Sequence, residues 1–118
     1  MSLMNNVRIT LGDNEFELVP SLKAATAVSN RFSGFQNAMN AIQAADLASI
    51  SYIIRQGITA KTISTDDLNE AIWRKGAFKS MTDALTFVSR LANGGRDINE
   101  EADEADEADE GDRGNGEV

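Results

Sequence analysis

Phe78-Lys79-Ser80-Met81-Thr82-Asp83-Ala84-Leu85-Thr86-Phe87-Val88-Ser89-Arg90-Leu91 holds the clearest periodicity in the 118-residue chain. Phe78, Met81, Leu85, Val88 and Leu91 step by three or four, the spacing that lines one face of an α-helix. Asn93-Gly94-Gly95 ends the pattern, because these residues release a chain from the helical backbone. This segment sets the class: a mainly α protein with a small β element (α+β).

Moving toward the N-terminus, four shorter helices precede it. Thr65 is placed to cap the nearest, with Asp66 and Asp67 in the first turn where the helix dipole favours acids. Leu68, Ala71 and Ile72 form its apolar stripe, and Lys75-Gly76 closes it. Residues 58–64 form a connector. Before that, Asp46 caps a helix that turns Leu47, Ile50 and Ile54 inward and stops near Gly57. A further short helix carries Phe35, Met39 and Ile42 on one face, with Ala38, Ala41 and Ala45 nearby. Ser33-Gly34 separates it from the first helix, which Ser21 caps and which carries Leu22, Ala25, Val28 and Phe32 at helical spacing.

At the start of the chain the period changes from 3.6 to 2. Val7, Ile9 and Leu11 alternate with Arg8 and Thr10, and Phe16 and Leu18 alternate with Glu15 and Glu17, giving each strand one buried and one wet face. Gly12-Asp13-Asn14 supplies turn-forming residues between them. Pro20, which has no N–H for a ladder bond, ends the hairpin. The expected organisation is one folded domain over residues 1–95, with a β-hairpin at 6–19 and about five helices within 21–92. Met1-Ser2-Leu3, ahead of Met4, reads as a cloning remnant.

Beyond residue 95 the composition changes. Residues 1–95 hold nine basic and eight acidic side chains, a net charge of +1, whereas residues 96–118 hold two basic and eleven acidic ones, a net −9. Residues 101–110 repeat acid and alanine in the pattern Glu-Ala-Asp. Alanine methyls bury too little surface to offset the entropy of ordering such a segment, so residues 96–118 are expected to be a disordered acidic tail. Its spacing does not suit a calcium loop, which needs oxygens at alternating positions and a central glycine. The body lacks the basic stripe that gathers nucleic-acid phosphates, so no nucleic-acid partner is expected.

The chain contains neither histidine nor cysteine. That removes Ser-His and Cys-His catalytic pairs, disulfides and thiolate metal sites. A carboxylate pair in a cleft is the one enzymatic arrangement left, and each acid of the body has a simpler place on a wet strand face, at a helix start or on a helix surface. No phosphate-binding glycine motif occurs. The expectation is a non-enzymatic protein with no cofactor and no metal. No apolar run approaches the roughly 20 residues that span a bilayer, and the N-terminus lacks the pattern of a secretory signal. No membrane association and a cytoplasmic location follow as expectations.

Two aromatics fit the helical stripes poorly. At roughly 100° per residue, Trp73 lies about 140° around from Leu68, and Tyr52 stands at a similar angle from Leu47. Large aromatics off the core face are candidate anchors for another protein, so Trp73 and Tyr52 are the candidate partner-binding residues. The alternative is that these helices are covered on two sides, or that Trp73 covers the hairpin.

The order of elements resembles a known family. The hairpin leads through Phe16-Glu17-Leu18-Val19-Pro20-Ser21-Leu22 into helices rich in small residues. An aspartate-initiated helix ending in glycine (Asp46 to Gly57), the start Ser64-Thr65-Asp66-Asp67-Leu68, and a last apolar helix running into Asn93-Gly94-Gly95 follow. Over about residues 6–95 the chain is similar to the small tail protein of gene transfer agents and related tailed prophages. Members have been labelled phage tail tube proteins and are better understood as tail assembly chaperones. The resemblance implies binding to the tape-measure protein, recruitment of tail tube subunits, and no catalytic residues. The acidic tail departs from the family pattern.

A tape-measure protein is a long chain with apolar stripes that aggregates when unaccompanied. Its chaperone needs exposed apolar anchors, weakly associating copies along the client, and charge to keep the complex soluble. Two alternatives stand beside this. A structural tail tube component would self-assemble through sheet edges. A regulatory module would place its acidic tail on a basic partner and lose binding steeply with salt.

Overall fold

Alternation in the first strand decides how the hairpin sits on the helices. In the computed structural model, which describes residues 5–59 and 63–97, β1 (Val7–Leu11) pairs antiparallel with β2 (Asn14–Leu18). Val7, Ile9 and Leu11 are buried while Arg8 and Thr10 are exposed. The register places Arg8 opposite Glu17 and joins the strands through a two-residue turn, Gly12-Asp13, so Asn14 belongs to the strand. On the wet face the Arg8 guanidinium lies 3.1 Å from the Glu17 carboxylate.

Five helices follow: α1 (Leu22–Phe32), α2 (Phe35–Gln43), α3 (Leu47–Gly57), α4 (Thr65–Lys75) and α5 (Ala77–Ala92). Each polar cap satisfies a backbone N–H that the first turn leaves without a partner. Ser21 accepts from the Ala24 amide of α1, and Asp46 from the Ser49 amide of α3. At α4 the cap is Ser64, not Thr65. Its hydroxyl accepts from the Asp67 amide at 3.1 Å, and Thr65 becomes the first helical residue.

The longest helix, α5, packs against α1, α2, α3, α4 and β1, while α3 is enclosed by α1, α2, α4, α5 and β2. The core they share contains Ile9, Leu18, Val28, Ile42, Ile50 and Ile54, with Leu68, Ile72, Phe87 and Val88. The hairpin joins this core through Val7, Ile9 and Leu11 of β1 and Leu18 of β2, and β2 also pairs with the chain after α3. Leu18 forms a bridge with Ile58, and the Val19 amide donates to the Gly57 carbonyl at 2.9 Å, so the connector after α3 extends the sheet by one residue.

The buried faces of three helices differ from the sequence expectation. The inward face of α5 is Ser80, Ala84, Phe87, Val88 and Leu91, whereas Phe78 is exposed. At about 100° per residue Phe78 stands some 135° from the centre of that face, with Met81 and Leu85 on its flank. Both faces of α5 carry a phenylalanine, and Phe87 is the one that packs inward, over Gly57 at the end of α3. On α1, Ala24 and Val28 face the core and Leu22, at the first helical position, is left in solvent. On α3, Ser51 and Ile53 join Ile50 and Ile54 inside, because that helix has neighbours on most of its circumference.

At the other end, Arg96 and Asp97 belong to the body, two residues past the expected boundary. Arg90 donates to the Asp97 carboxylate at 3.2 Å and to the carbonyls of Asn5 and Asn6, tying the end of α5 to the start of β1. The Asn93 side chain donates to the carbonyls of Arg96 and Asp97. The remainder of the acidic tail, 98–118, lies outside the described residues, as do Met1-Ser2-Leu3.

Candidate protein-binding surfaces

A single residue, Gly76, separates α4 from α5, with φ at +105°, a backbone value that side chains disfavour. Trp73 sits on the last turn of α4 and Phe78 on the first turn of α5, so the two flank this corner in the chain. They are 61% and 79% exposed and, with Leu22, are the large exposed hydrophobic residues of the described chain. Leu22 shares a recess with Leu91 at the far end of α5. Thirteen residues of helix, about 20 Å, separate Leu91 from Phe78. The exposed apolar groups therefore stand in two places, with the aromatics together in sequence at Gly76.

The Trp73 ring has a charged border. The Arg74 guanidinium lies 5.9 Å from its centroid and pairs with Glu70 at 2.9 Å, one turn back on α4. Lys75 donates to the Thr10 carbonyl at 3.0 Å, pinning the corner to the hairpin. Lys75 also faces Asp83 of α5. Partial burial raises the Asp83 pKa above its ordinary value, and the Lys75 charge offsets part of that rise.

Tyr52, the second sequence candidate, is placed differently. Its ring is half-buried, meets Phe32 edge-on with centroids 6.1 Å apart, and lies 4.8 Å under the Arg31 guanidinium. Its hydroxyl points to the Ala27 carbonyl at 3.5 Å. Tyr52 is off the α3 stripe because α1 covers it from the other side, so it seals two helices instead of standing free. The structure does not bring Tyr52 and Trp73 together.

Tyr52 does line a groove of about 380 Å³ between α1, α3 and the start of α4. Arg31 and Arg55 face into it, and Arg55 donates to the Thr65 hydroxyl. The two arginines did not stand out in the sequence, although one signal was there. Neither has an acidic residue three or four positions away, whereas Arg74 has Glu70. Phe78 was hidden by fitting the α5 stripe; the competing phenylalanine at 87 was the warning.

Among the described residues no group of three or more Asp or Glu side chains gathers closely enough to hold a metal ion, and no helix is long and apolar enough to cross a membrane. Comparison with known protein families, characterised proteins and solved structures finds no match to this chain.

Proposed function

We propose that this chain is a non-enzymatic protein-binding module that docks partners at the Trp73–Phe78 corner. The observation that carries the reading is the pair of aromatics left 61% and 79% exposed on either side of Gly76. Removing such rings from water on binding stabilises a complex by roughly 2 kcal/mol or more each when they anchor an interface. The absence of histidine and cysteine from the whole sequence supports a binding role over a catalytic one.

The partner class comes from the resemblance to small tail proteins of gene transfer agents. On that reading the chain is a phage-type tail assembly chaperone working in the bacterial host cytoplasm. It holds the tape-measure protein soluble and brings tail tube subunits to it. The two separated apolar points, Leu22 at one end of α5 and the aromatics at the other, suit an elongated helical client. Co-expression with the tape-measure protein of the same gene cluster tests this. The proposal expects the client to move into the soluble fraction and to co-elute with this chain. A client that stays insoluble and forms no complex refutes it.

A further inference from the structure

The groove between α1, α3 and α4 carries a pair of guanidiniums that the fold leaves without a carboxylate. Arg31 and Arg55 both line it, no Asp or Glu does, and no ion pair within 4 Å reaches either arginine among the described residues. Arg31 stacks on Tyr52 and Arg55 donates to Thr65, so most of their ten N–H donors are open to a ligand. Beside them Leu47, Ala48 and the Tyr52 ring provide an apolar lining. Such a groove fits a segment that alternates carboxylates with small methyl groups, since guanidinium and carboxylate pair in bidentate fashion while methyls take the apolar surface.

This chain contains such a segment. We propose that residues 101–110, Glu-Ala-Asp-Glu-Ala-Asp-Glu-Ala-Asp-Glu, bind in the Arg31–Arg55 groove of the same molecule. Three features support the choice. The charges are opposite, and the segment carries alanines at 102, 105 and 108 to meet the apolar lining. The reach is sufficient. Gly94 and Gly95 share a recess with Pro20, Ser21 and Leu22 at the start of α1, and Arg31 stands nine residues beyond Leu22, about 14 Å along that helix. The eight residues from 98 to the middle of the segment at 105 extend up to about 26 Å. The competing basic recess, at Thr10, Arg74, Lys75 and Lys79, is less available because Glu70 holds Arg74 and the Thr10 carbonyl holds Lys75. Docked there, the tail occupies the arginines that any acidic partner would need. The inference stands whether or not the Trp73–Phe78 corner binds a client.

The chain has no cysteine, so Ala105→Cys in the full-length protein offers one site for a nitroxide label. Amide spectra of the ¹⁵N-labelled protein are compared with the label oxidised and reduced. The proposal expects loss of the signals around Arg31, Tyr52 and Arg55 at low salt. It expects their return in roughly 1 M NaCl, where the screening length falls to about 3 Å, and in the double variant Arg31→Gln, Arg55→Gln. The salt arm uses no arginine substitution and decides the matter even if the double variant folds poorly. Three results overturn the proposal: no loss in the groove, loss centred on Arg74 to Lys79, or loss in the groove that persists when spin-labelled unenriched protein is mixed with unlabelled ¹⁵N protein. The last would assign the groove to a second copy's tail.

Discussion

The Phe87 ring closes directly over Gly57, so that a Cβ built at position 57 would lie 2.7 Å from Phe87 Cζ and 2.9 Å from Leu18 Cβ. At this point α3 ends, β2 is held by the Val19–Gly57 hydrogen bond, and α5 presents its largest core side chain. Gly57 thus sets how closely the hairpin and the last helix approach each other. In an ordinary helix, replacing glycine by alanine stabilises by roughly 0.5–1 kcal/mol. Here the sign reverses, because Leu18 Cβ is fixed to the strand backbone and cannot swing away. Gly57→Ala is expected to destabilise by about 1–3 kcal/mol in urea unfolding. An unchanged or raised midpoint would place Phe87 elsewhere.

The two phenylalanines of α5 should separate cleanly. Phe87→Ala leaves a cavity in the core and is expected to cost about 3–5 kcal/mol. Phe78→Ala, at a position 79% exposed, should change stability by no more than about 0.5 kcal/mol. Denaturant titrations of both variants check this, and equal losses would mean that the inward face of α5 is wrongly assigned.

Ser80 is fully buried on that inward face, and its hydroxyl has no hydrogen-bond partner among the described residues. Ser80→Ala removes a desolvated polar group and improves helix propensity, so a gain of about 0.5–1.5 kcal/mol is expected by thermal or urea unfolding. A loss would point to a hydrogen bond from that hydroxyl.

Asp83 gives the fold a small pH dependence. Partial burial raises its pKa in the folded state, so the folded protein holds that proton more firmly than the unfolded chain. The contribution to stability is therefore present below the usual aspartate value and is lost as pH rises through the raised one. Asp83→Asn lacks this loss. Its stability relative to the native chain should increase as pH climbs through that window and level off above it. Urea midpoints of both proteins across acidic to neutral pH provide the measurement; a pH-independent difference contradicts it.

Much of the fold was legible in the sequence because local rules agreed with one another. Period-two alternation located both strands, Ser21 and Asp46 marked two helix starts, and Gly57 and Gly76 marked two ends. Pattern failed where tertiary neighbours made the choice. Phe78 and Phe87 fit equally regular stripes, and only the tertiary neighbours of Phe87, Gly57 among them, separate the two. Leu22 fits its stripe by spacing but stands on the first turn, outside the reach of the core. Tyr52 lies off the stripe of its own helix, yet α1 covers it, which no property of α3 alone reveals. The bridge from Leu18 to Ile58 joins residues far apart in sequence through a single backbone pairing, and the connector carries no alternation to announce it. For the proposed binding surface, Trp73 is visible from its angle on α4, and Phe78, five residues on, is not.

The Trp73–Phe78 corner is the surface proposed to meet the client. The most direct measurement is a binding isotherm of the tape-measure protein from the same gene cluster against the native chain and the double variant Trp73→Ala, Phe78→Ala. Both side chains are solvent-exposed, so the variant should keep its unfolding midpoint. Its affinity is expected to fall about 1,000-fold or more, corresponding to at least about 4 kcal/mol from the two anchors together. Undiminished affinity in a folded double variant would contradict the account.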